Sequence, residues 1–368
     1  MVTGLTLRVR RWAEEMGMTL QELLAFALAQ GASDLHLSSG LPPLLRIDGE
    51  VCKLSAPPLD DAGVRALLDR VLTAPQRKTF EAAGECDFAF AAEGLARFRV
   101  NVFRQNRGAA AVFRVIPDTV WSLAELGLGP LLEHVASLRR GLILVTGPTG
   151  SGKSTTLAAM IDHLNRTQSQ HILTIEDPIE FVHEPRQCLI NQREVHRDTE
   201  SFACALRAAL REDPDVILVG ELRDLETIRL ALEAAETGHV VFATLHTQSA
   251  AKTIDRLIDV FPGAEKAMVR TLLSESLQAV ISQTLLKKQG GGRVAAQEIM
   301  LCTPAIRNLI REDKVAQMYS AIQTGAEHGM VTLDQALEKL VRAGTVDAKV
   351  AQRYARFPET FQDPVARR

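Results

Sequence analysis

The hydrophobic positions along this chain keep one rhythm, lose it, and then settle into a second. Leu20, Leu23, Leu24, Ala27 and Leu28 recur at helical spacing, which predicts an amphipathic helix beginning at Thr19. Thr19 and Glu22 have the capping-box spacing, in which each side chain satisfies the other's backbone N–H. Gly31 suits the left-handed position just past a helix end. The pattern then shortens. Residues 44–51 set Asp48-Gly49 between two short apolar runs, a hairpin signal. Residues 64–83 return to helical spacing. Stretches 86–90, 96–103 and 109–115 alternate or run apolar in β-prone residues, broken at Glu93-Gly94 and at Asn106-Arg107-Gly108. Residues 18–115 are therefore expected to form one α+β domain, and residues 1–17 an appendage to it. Ile116-Pro117-Asp118 opens an expected linker over 116–130, because proline disfavours continuation of a regular element.

From Gly141 the second rhythm takes over. Residues 142–145, 172–175, 216–219 and 240–243 are continuous apolar runs, and helical patterns separate the later ones. Fully apolar strands alternating with helices imply a parallel sheet covered on both faces. After Ser249 the chain reads as mostly helical. Met268, Val269, Leu272, Leu273, Leu277, Val280, Ile281 and Leu285 form what looks like a single helical stripe, and Gly290-Gly291-Gly292 a flexible break. The second domain is expected over 131–368. No internal repeat and no low-complexity tract stands out.

Composition adds exclusions. A length of 368 residues fits two domains, and 46% hydrophobic with 24% charged residues is ordinary for a globular chain rather than a disordered one. The net charge of −3 argues against dedicated, stable nucleic-acid binding, which needs a basic excess or stripe. The five cysteines (Cys52, Cys86, Cys188, Cys204 and Cys302) lie singly, with no Cys-x-x-Cys pair. That disfavours a four-thiolate zinc site and a disulfide framework, and fits a reducing cytoplasm. No apolar run reaches the ~18–20 residues of a membrane span, and residues 1–17 lack the apolar core of a secretory signal. Membrane association is therefore expected to be peripheral.

The sharpest chemical signal is Gly147-Pro148-Thr149-Gly150-Ser151-Gly152-Lys153-Ser154, which fits the phosphate-loop pattern G-x-x-x-x-G-K-[ST]. Each residue type has a reason. The glycines let the backbone curl so that successive N–H groups face a β-phosphate, and Lys153 adds a point charge. Ser154 offers Mg²⁺ an oxygen, and the helix that follows, entered through Thr155, presents its positive end. An apolar strand before the motif and a helix after it supply the expected setting.

Carboxylates and histidines follow at the ends of later strands. The run 216–219 ends in Gly220-Glu221, where an α/β sheet builds its sites, so Glu221 is a candidate for the metal or its waters. Glu176-Asp177-Pro178-Ile179-Glu180 closes the second run. Either Glu176 or Glu180 could orient and deprotonate a water, and the residues alone do not separate them. His239 and His246 bracket the fourth strand, about 20 Å apart if it is extended, so they cannot share one phosphate. His246, at the carboxyl end, is the better phosphate sensor. In the first domain Arg97, Arg99, Arg104, Arg107 and Arg114 crowd the last strands. Arg97 and Arg99 alternate with Phe98 and Val100 and so share a strand face that suits phosphate oxygens.

Taken together, the phosphate loop, Thr174-Ile175-Glu176-Asp177-Pro178-Ile179-Glu180, Ile217-Leu218-Val219-Gly220-Glu221 and residues 237–247 resemble the secretion ATPase superfamily of type II secretion and type IV pili. Gly31-Ala32-Ser33-Asp34-Leu35-His36-Leu37 resembles its N-terminal signature. Ala305-Ile306-Arg307-Asn308-Leu309-Ile310-Arg311-Glu312 resembles the signature of its pilus-retraction branch, which fits the absence of a four-cysteine motif. The resemblance runs from about Met18 to Phe361. It implies an α/β architecture with a PAS-like α+β N-terminal domain and a RecA-like P-loop domain with a helical C-terminal region. It also implies a homohexameric, Mg²⁺-dependent ATP hydrolase at the cytoplasmic side of the inner membrane, working on a platform protein and, indirectly, on pilin. Carried over by motif, Glu180 is the catalytic glutamate, Glu221 belongs to the Walker B motif, and His239 and His246 form a histidine box. Arg97, Arg99 and Arg114 become expected phosphate contacts. A pilus-extension or type II secretion motor, a nucleotide-binding but non-hydrolysing ring component, and a RecA-like nucleic-acid motor are the competing readings.

Overall fold

A computed structural model describes residues 19–47, 49–116 and 119–361. Residues 1–17, Asp48 of the expected hairpin turn, and Pro117-Asp118 of the expected linker lie outside the described residues. The chain divides into two units, Met1–Thr119 and Val120–Arg368.

The first unit opens with α1 (Leu20–Ala29), then β1 (Asp34–Ser38), β2 (Leu44–Ile47), β3 (Glu50–Lys53), α2 (Asp61–Leu68), α3 (Ala74–Ala83), β4 (Glu85–Ala92), β5 (Ala96–Gln105) and β6 (Gly108–Ile116). The capping box is formed: the Glu22 N–H donates to Thr19 Oγ1 at 3.3 Å, and the Thr19 N–H to Glu22 Oε2 at 2.9 Å. Gly31 takes φ of +66° beyond the helix end, as its place in the sequence predicts. The single helix expected over 64–83 is instead α2 and α3. Thr73 and Gln76 form a second capping box and Pro75 sits in the first turn, so the chain restarts a helix there rather than continuing one. The strands build one antiparallel sheet in the order β3-β2-β1-β6-β5-β4. Its inward face carries Leu35, Leu37, Phe98, Val100, Val102 and Phe113, packed with Leu23 and Leu24 of α1.

The second unit contains α4 (Pro130–Ala136), β7 (Gly141–Thr146), α5 (Lys153–Thr167), β8 (His171–Glu176), β9 (Leu189–Glu194), α6 (Phe202–Ala209), β10 (Val216–Val219), α7 (Leu225–Glu236), β11 (Val240–Leu245), α8 (Ala250–Asp259), α9 (Lys266–Ser276), β12 (Leu277–Lys287), β13 (Arg293–Leu301), α10 (Pro304–Arg311), α11 (Met318–Thr324), α12 (Leu333–Arg342) and α13 (Ala348–Gln352). Of the stretch expected as a linker, Leu123 and Leu128 are buried in this unit's core. The seven strands run in the order β13-β12-β7-β11-β10-β8-β9, parallel except for the β12–β13 pair. The alternation of side chains divides each apolar strand between two cores. Leu142, Leu144, Val241, Ala243 and Leu245 face one side; Ile143, Val145, Val240 and Phe242 face the other. That double burial is why these runs read as uninterrupted hydrophobic segments.

One expectation fails in this unit. The apolar stripe from Met268 to Leu285 is helical only as far as Ser276. From Leu277 the chain is the strand β12, buried along most of its length. A short apolar run has no period that separates helix from strand. The switch is made by tertiary capping instead. The Ser276 hydroxyl turns back onto the Leu272 carbonyl, and Arg307 of α10 donates to the carbonyls of Ser274 and Glu275. The three glycines at 290–292, all with positive φ, form the turn of the β12–β13 hairpin.

Phe98 is fully buried beneath the arginine face of β5. Phe98→Ala is expected to lower the unfolding free energy of the first unit by about 3–5 kcal/mol in chemical denaturation. A loss below ~1 kcal/mol would contradict that packing.

Candidate active site

The parallel strands end on one edge of the larger sheet, and four of them deliver chemistry there. After β7 comes the phosphate loop, which requires its glycines. Gly147, Gly150 and Gly152 take φ of 142°, 77° and 87°. A Cβ at Gly147 would lie 2.2 Å from the Gln283 carbonyl oxygen of β12, so the loop can hug that strand only without a side chain. Pro148, Thr149 and Ser151 fill the curl between the glycines. The first-turn N–H groups of α5, at Lys153, Ser154 and Thr155, have no intrahelical partners by geometry and point toward the loop's mouth. Ser151 Oγ is buried with no hydrogen-bond partner among the described residues. This curl of orphan donors fits a nucleotide's phosphates.

Lys153 is 8% exposed, and its Nζ donates to the carbonyls of Gly147 at 2.9 Å and Pro148 at 3.2 Å. It also lies 3.4 Å from His246 Nδ1. Burial pushes the Lys153 ammonium below its usual pKa, while the charges of Glu221 and Glu180 push it back up.

Glu221 follows β10 and His246 follows β11, and β11 lies directly beside β7 in the sheet. The backbone around Glu221 is held on both sides. The Gly220 N–H donates to Ile175 O at 2.8 Å, the Leu222 N–H to Thr244 O at 3.0 Å, and the Thr244 hydroxyl to Gly220 O. A Cβ at Gly220 would sit 3.2 Å from Ile175 O. So fixed, the Glu221 carboxylate meets His246 Nε2 at 3.2 Å and Arg223 Nε at 2.8 Å. The His246 ring lies between the Lys153 ammonium and the Glu221 carboxylate. Lys153, His246, Glu221 and Arg223 thus form one chain of alternating contacts.

After β8, Glu176 and Glu180 have different environments. Glu176 is half-buried, and its carboxylate accepts from the Thr174 hydroxyl at 2.7 Å, from Gln192 Nε2 at 3.3 Å and from the Glu180 N–H at 3.4 Å. Burial raises its carboxyl to about 7 despite those bonds, and the Glu180 charge pushes in the same direction. Glu180 is half-buried, and its backbone is tied to Glu176. Glu176 thus anchors the backbone that carries Glu180.

His239 lies away from this cluster, at the other end of its strand. There, at the amino end of β11, its Nδ1 donates to Ala234 O at 3.0 Å and its own carbonyl accepts from the Gly141 N–H at 2.9 Å. Within the first unit, Arg99 and Arg114 are direct cross-strand neighbours. Each is balanced by a carboxylate on a flanking strand, Arg99 by Asp87 at 2.7 Å and Arg114 by the buried Asp34 at 2.8 Å. Arg97 shares the strand face with Arg99, above buried Phe98 and Val100. Sequence reasoning missed Gln192 and Gln283, both in contact with the site's elements, whereas the pairing of Glu221 with Arg223 was open to it from their spacing. Gln283 was hidden by the helical reading of β12, and nothing in its local pattern marks it.

The raised Glu176 carboxyl makes a pH prediction. Between about 4.5 and about 7 the folded chain holds this proton when the unfolded chain has lost it. Its contribution to stability is therefore full below pH 4.5 and is lost as pH rises to 7, a change on the order of 3 kcal/mol. Glu176→Gln should flatten that part of the stability profile, measured by denaturant unfolding at pH 5 and pH 7.5. An unchanged slope would mean that Glu176 does not hold that proton.

The sequence model of the family "Type II/IV secretion system protein" matches residues 14–353. The chain is 67% identical over 344 residues to the "Type IV pilus retractation ATPase PilT" of Pseudomonas aeruginosa, covering 94% of this chain and 100% of that protein. It is 53% identical over 351 residues to a "Twitching motility protein" of Neisseria gonorrhoeae, covering 95% and 94%. The crystal structure of the pilus retraction motor PilT with bound ADP shares its fold with a TM-score of 0.86 at 48% identity, over 94% of this chain and 99% of that one. With the family match spanning both units and such identity along nearly its whole length, this chain belongs to the Type II/IV secretion system protein family.

Proposed function

We propose that this protein is a hexameric, Mg²⁺-dependent ATPase that powers retraction of type IV pili, and with it twitching motility and DNA uptake. The observation that carries the reading is the linked set Lys153–His246–Glu221 at the mouth of a phosphate loop, in a chain so like a retraction ATPase from end to end. In this reading the loop residues Gly147, Pro148, Thr149, Gly150, Ser151, Gly152 and Thr155 hold the phosphates through backbone N–H groups. Lys153 leaves its own carbonyls for the phosphoryl oxygens. Ser154 and Glu221 are the hard oxygen donors that suit magnesium. Magnesium, when bound, neutralises charge on the phosphoryl oxygens. Glu180 takes the proton of the attacking water, and Glu176 fixes its loop. His246 reports the state of the phosphate to Glu221, and His239 serves at the opposite strand end. Arg97, Arg99 and Arg114 contact phosphate by exchanging partners, Arg99 leaving Asp87 and Arg114 leaving Asp34, so that closing and opening of the domains follows the nucleotide.

The force is delivered to an inner-membrane platform protein, against which the ring works peripherally, and pilin leaves the pilus base. No helix among the described residues is long and apolar enough to cross a membrane. Relatives from type II secretion are 36–38% identical, with only 53–55% of their length covered, which favours the retraction reading over the secretion one.

Lys153→Ala and Glu221→Ala are each expected to lower steady-state phosphate release by at least about 100-fold, and Glu180→Gln by ~100- to 10,000-fold. A Lys153→Ala ring that hydrolyses normally would overturn the site. In cells, a deletion strain should carry excess surface pili and fail to twitch, and only the wild-type gene should restore it. Loss of pili on deletion would point to an extension motor.

A further inference from the structure

β12 runs parallel to β7, with Ile281 opposite Val145 and Ser282 opposite Thr146. The next residue, Gln283, therefore arrives under the phosphate loop. It is 97% buried, and both ends of its amide are hydrogen-bonded. Nε2 donates to the Ser151 carbonyl at 2.6 Å. Oε1 accepts from the Thr156 hydroxyl at 2.9 Å and from Gln297 Nε2, its cross-strand partner on β13, at 3.2 Å. A carbonyl can only accept, so the amide has one permissible orientation. The same residue limits the loop at both ends: its backbone oxygen excludes a Cβ at 147, and its Nε2 would lie 3.0 Å from one at 152.

We infer that Gln283 is a positioning residue for the phosphate loop, setting the curl that aims the loop's N–H groups at nucleotide phosphates. This rests on the nucleotide-binding reading above and extends it to a strand outside the recognised motifs. The side chain must present one donor and one two-lone-pair acceptor at that reach. Glutamine does so in neutral form, and an ionised glutamate has no donor. Removing the donor leaves Ser151 O buried and unpaired, a penalty the loop can relieve only by moving.

The chemistry supplies a test that a mere packing role would not pass. In Gln283→Glu the shape is kept. The introduced carboxyl, buried like the amide it replaces, titrates above the ordinary carboxylate range. Protonated, it donates to Ser151; ionised, it opposes that carbonyl. The charged or titratable groups on the flanking elements are Lys153, Asp162, His163 and Arg166 of α5, Lys287 of β12, and Arg293 and Glu298 of β13, while β7 carries none. All are shared with the wild type, so the ratio of the two affinities isolates the new group. ADP binding by calorimetry is expected to be within about threefold of wild type at pH 6 and weaker by about tenfold or more at pH 8.5. Gln283→Met, which has no donor at any pH, should be weaker by about tenfold or more at both. A ratio near one at both pH values, an equal loss at both for Gln283→Glu, or wild-type affinity in Gln283→Met would overturn the role of Gln283 while leaving the site intact. Wild-type protein that binds no ADP would overturn the site reading itself.

Discussion

An ammonium group withdrawn from water must be repaid in contacts, and the carboxyl edge of the larger sheet is organised around that requirement for Lys153. Two carbonyls of its own loop take its protons, a histidine from the neighbouring strand lies against it, and a carboxylate stands behind the histidine. None of these groups could be supplied by local sequence alone. They converge because β7 and β11 are adjacent, with β10 next in line, so residues about 70 to 90 positions apart emerge side by side. The sheet order is thus the means by which a short glycine-rich motif acquires an electrostatic environment.

The same edge shows how two glutamates four residues apart divide their duties. Glu176 accepts hydrogen bonds from a hydroxyl, an amide and a backbone N–H. Glu180 is carried by the segment that Glu176 holds. A single acidic motif therefore contains two half-buried carboxylates that differ in their contacts rather than in residue type.

How much of this was legible beforehand depended on whether the signal was local. The capping box at Thr19, the stop at Gly31, the phosphate loop and the doubly buried strands all write their physics into neighbouring residues, and the fold follows them. The separation of His239 from His246 followed from strand length alone. The boundary at Ser276 did not, because the cap comes from Arg307 some thirty residues away. Glu176 and Glu180 were separated only by the family resemblance, and the contacts of Glu176 with Thr174 and Gln192 have no mark in the local sequence. The arginines of β5 and β6 read as a bare cationic face, whereas Asp87 and Asp34 on flanking strands already balance two of them.

Arg307 also divides the helix that carries it. Its guanidinium holds two backbone carbonyls of α9 and the amide oxygen of Gln278, an arrangement that needs a planar fork and that lysine would not reproduce. With Ile306 and Ile310 fully buried, half of the Ala305–Glu312 stretch is committed to holding the molecule's own parts together. What it shows to the outside is carried by Ala305, Asn308, Arg311 and Glu312. A signature that looks uniform as a string of letters is therefore two inscriptions, one addressed inward and one outward, and only the second is open to another molecule.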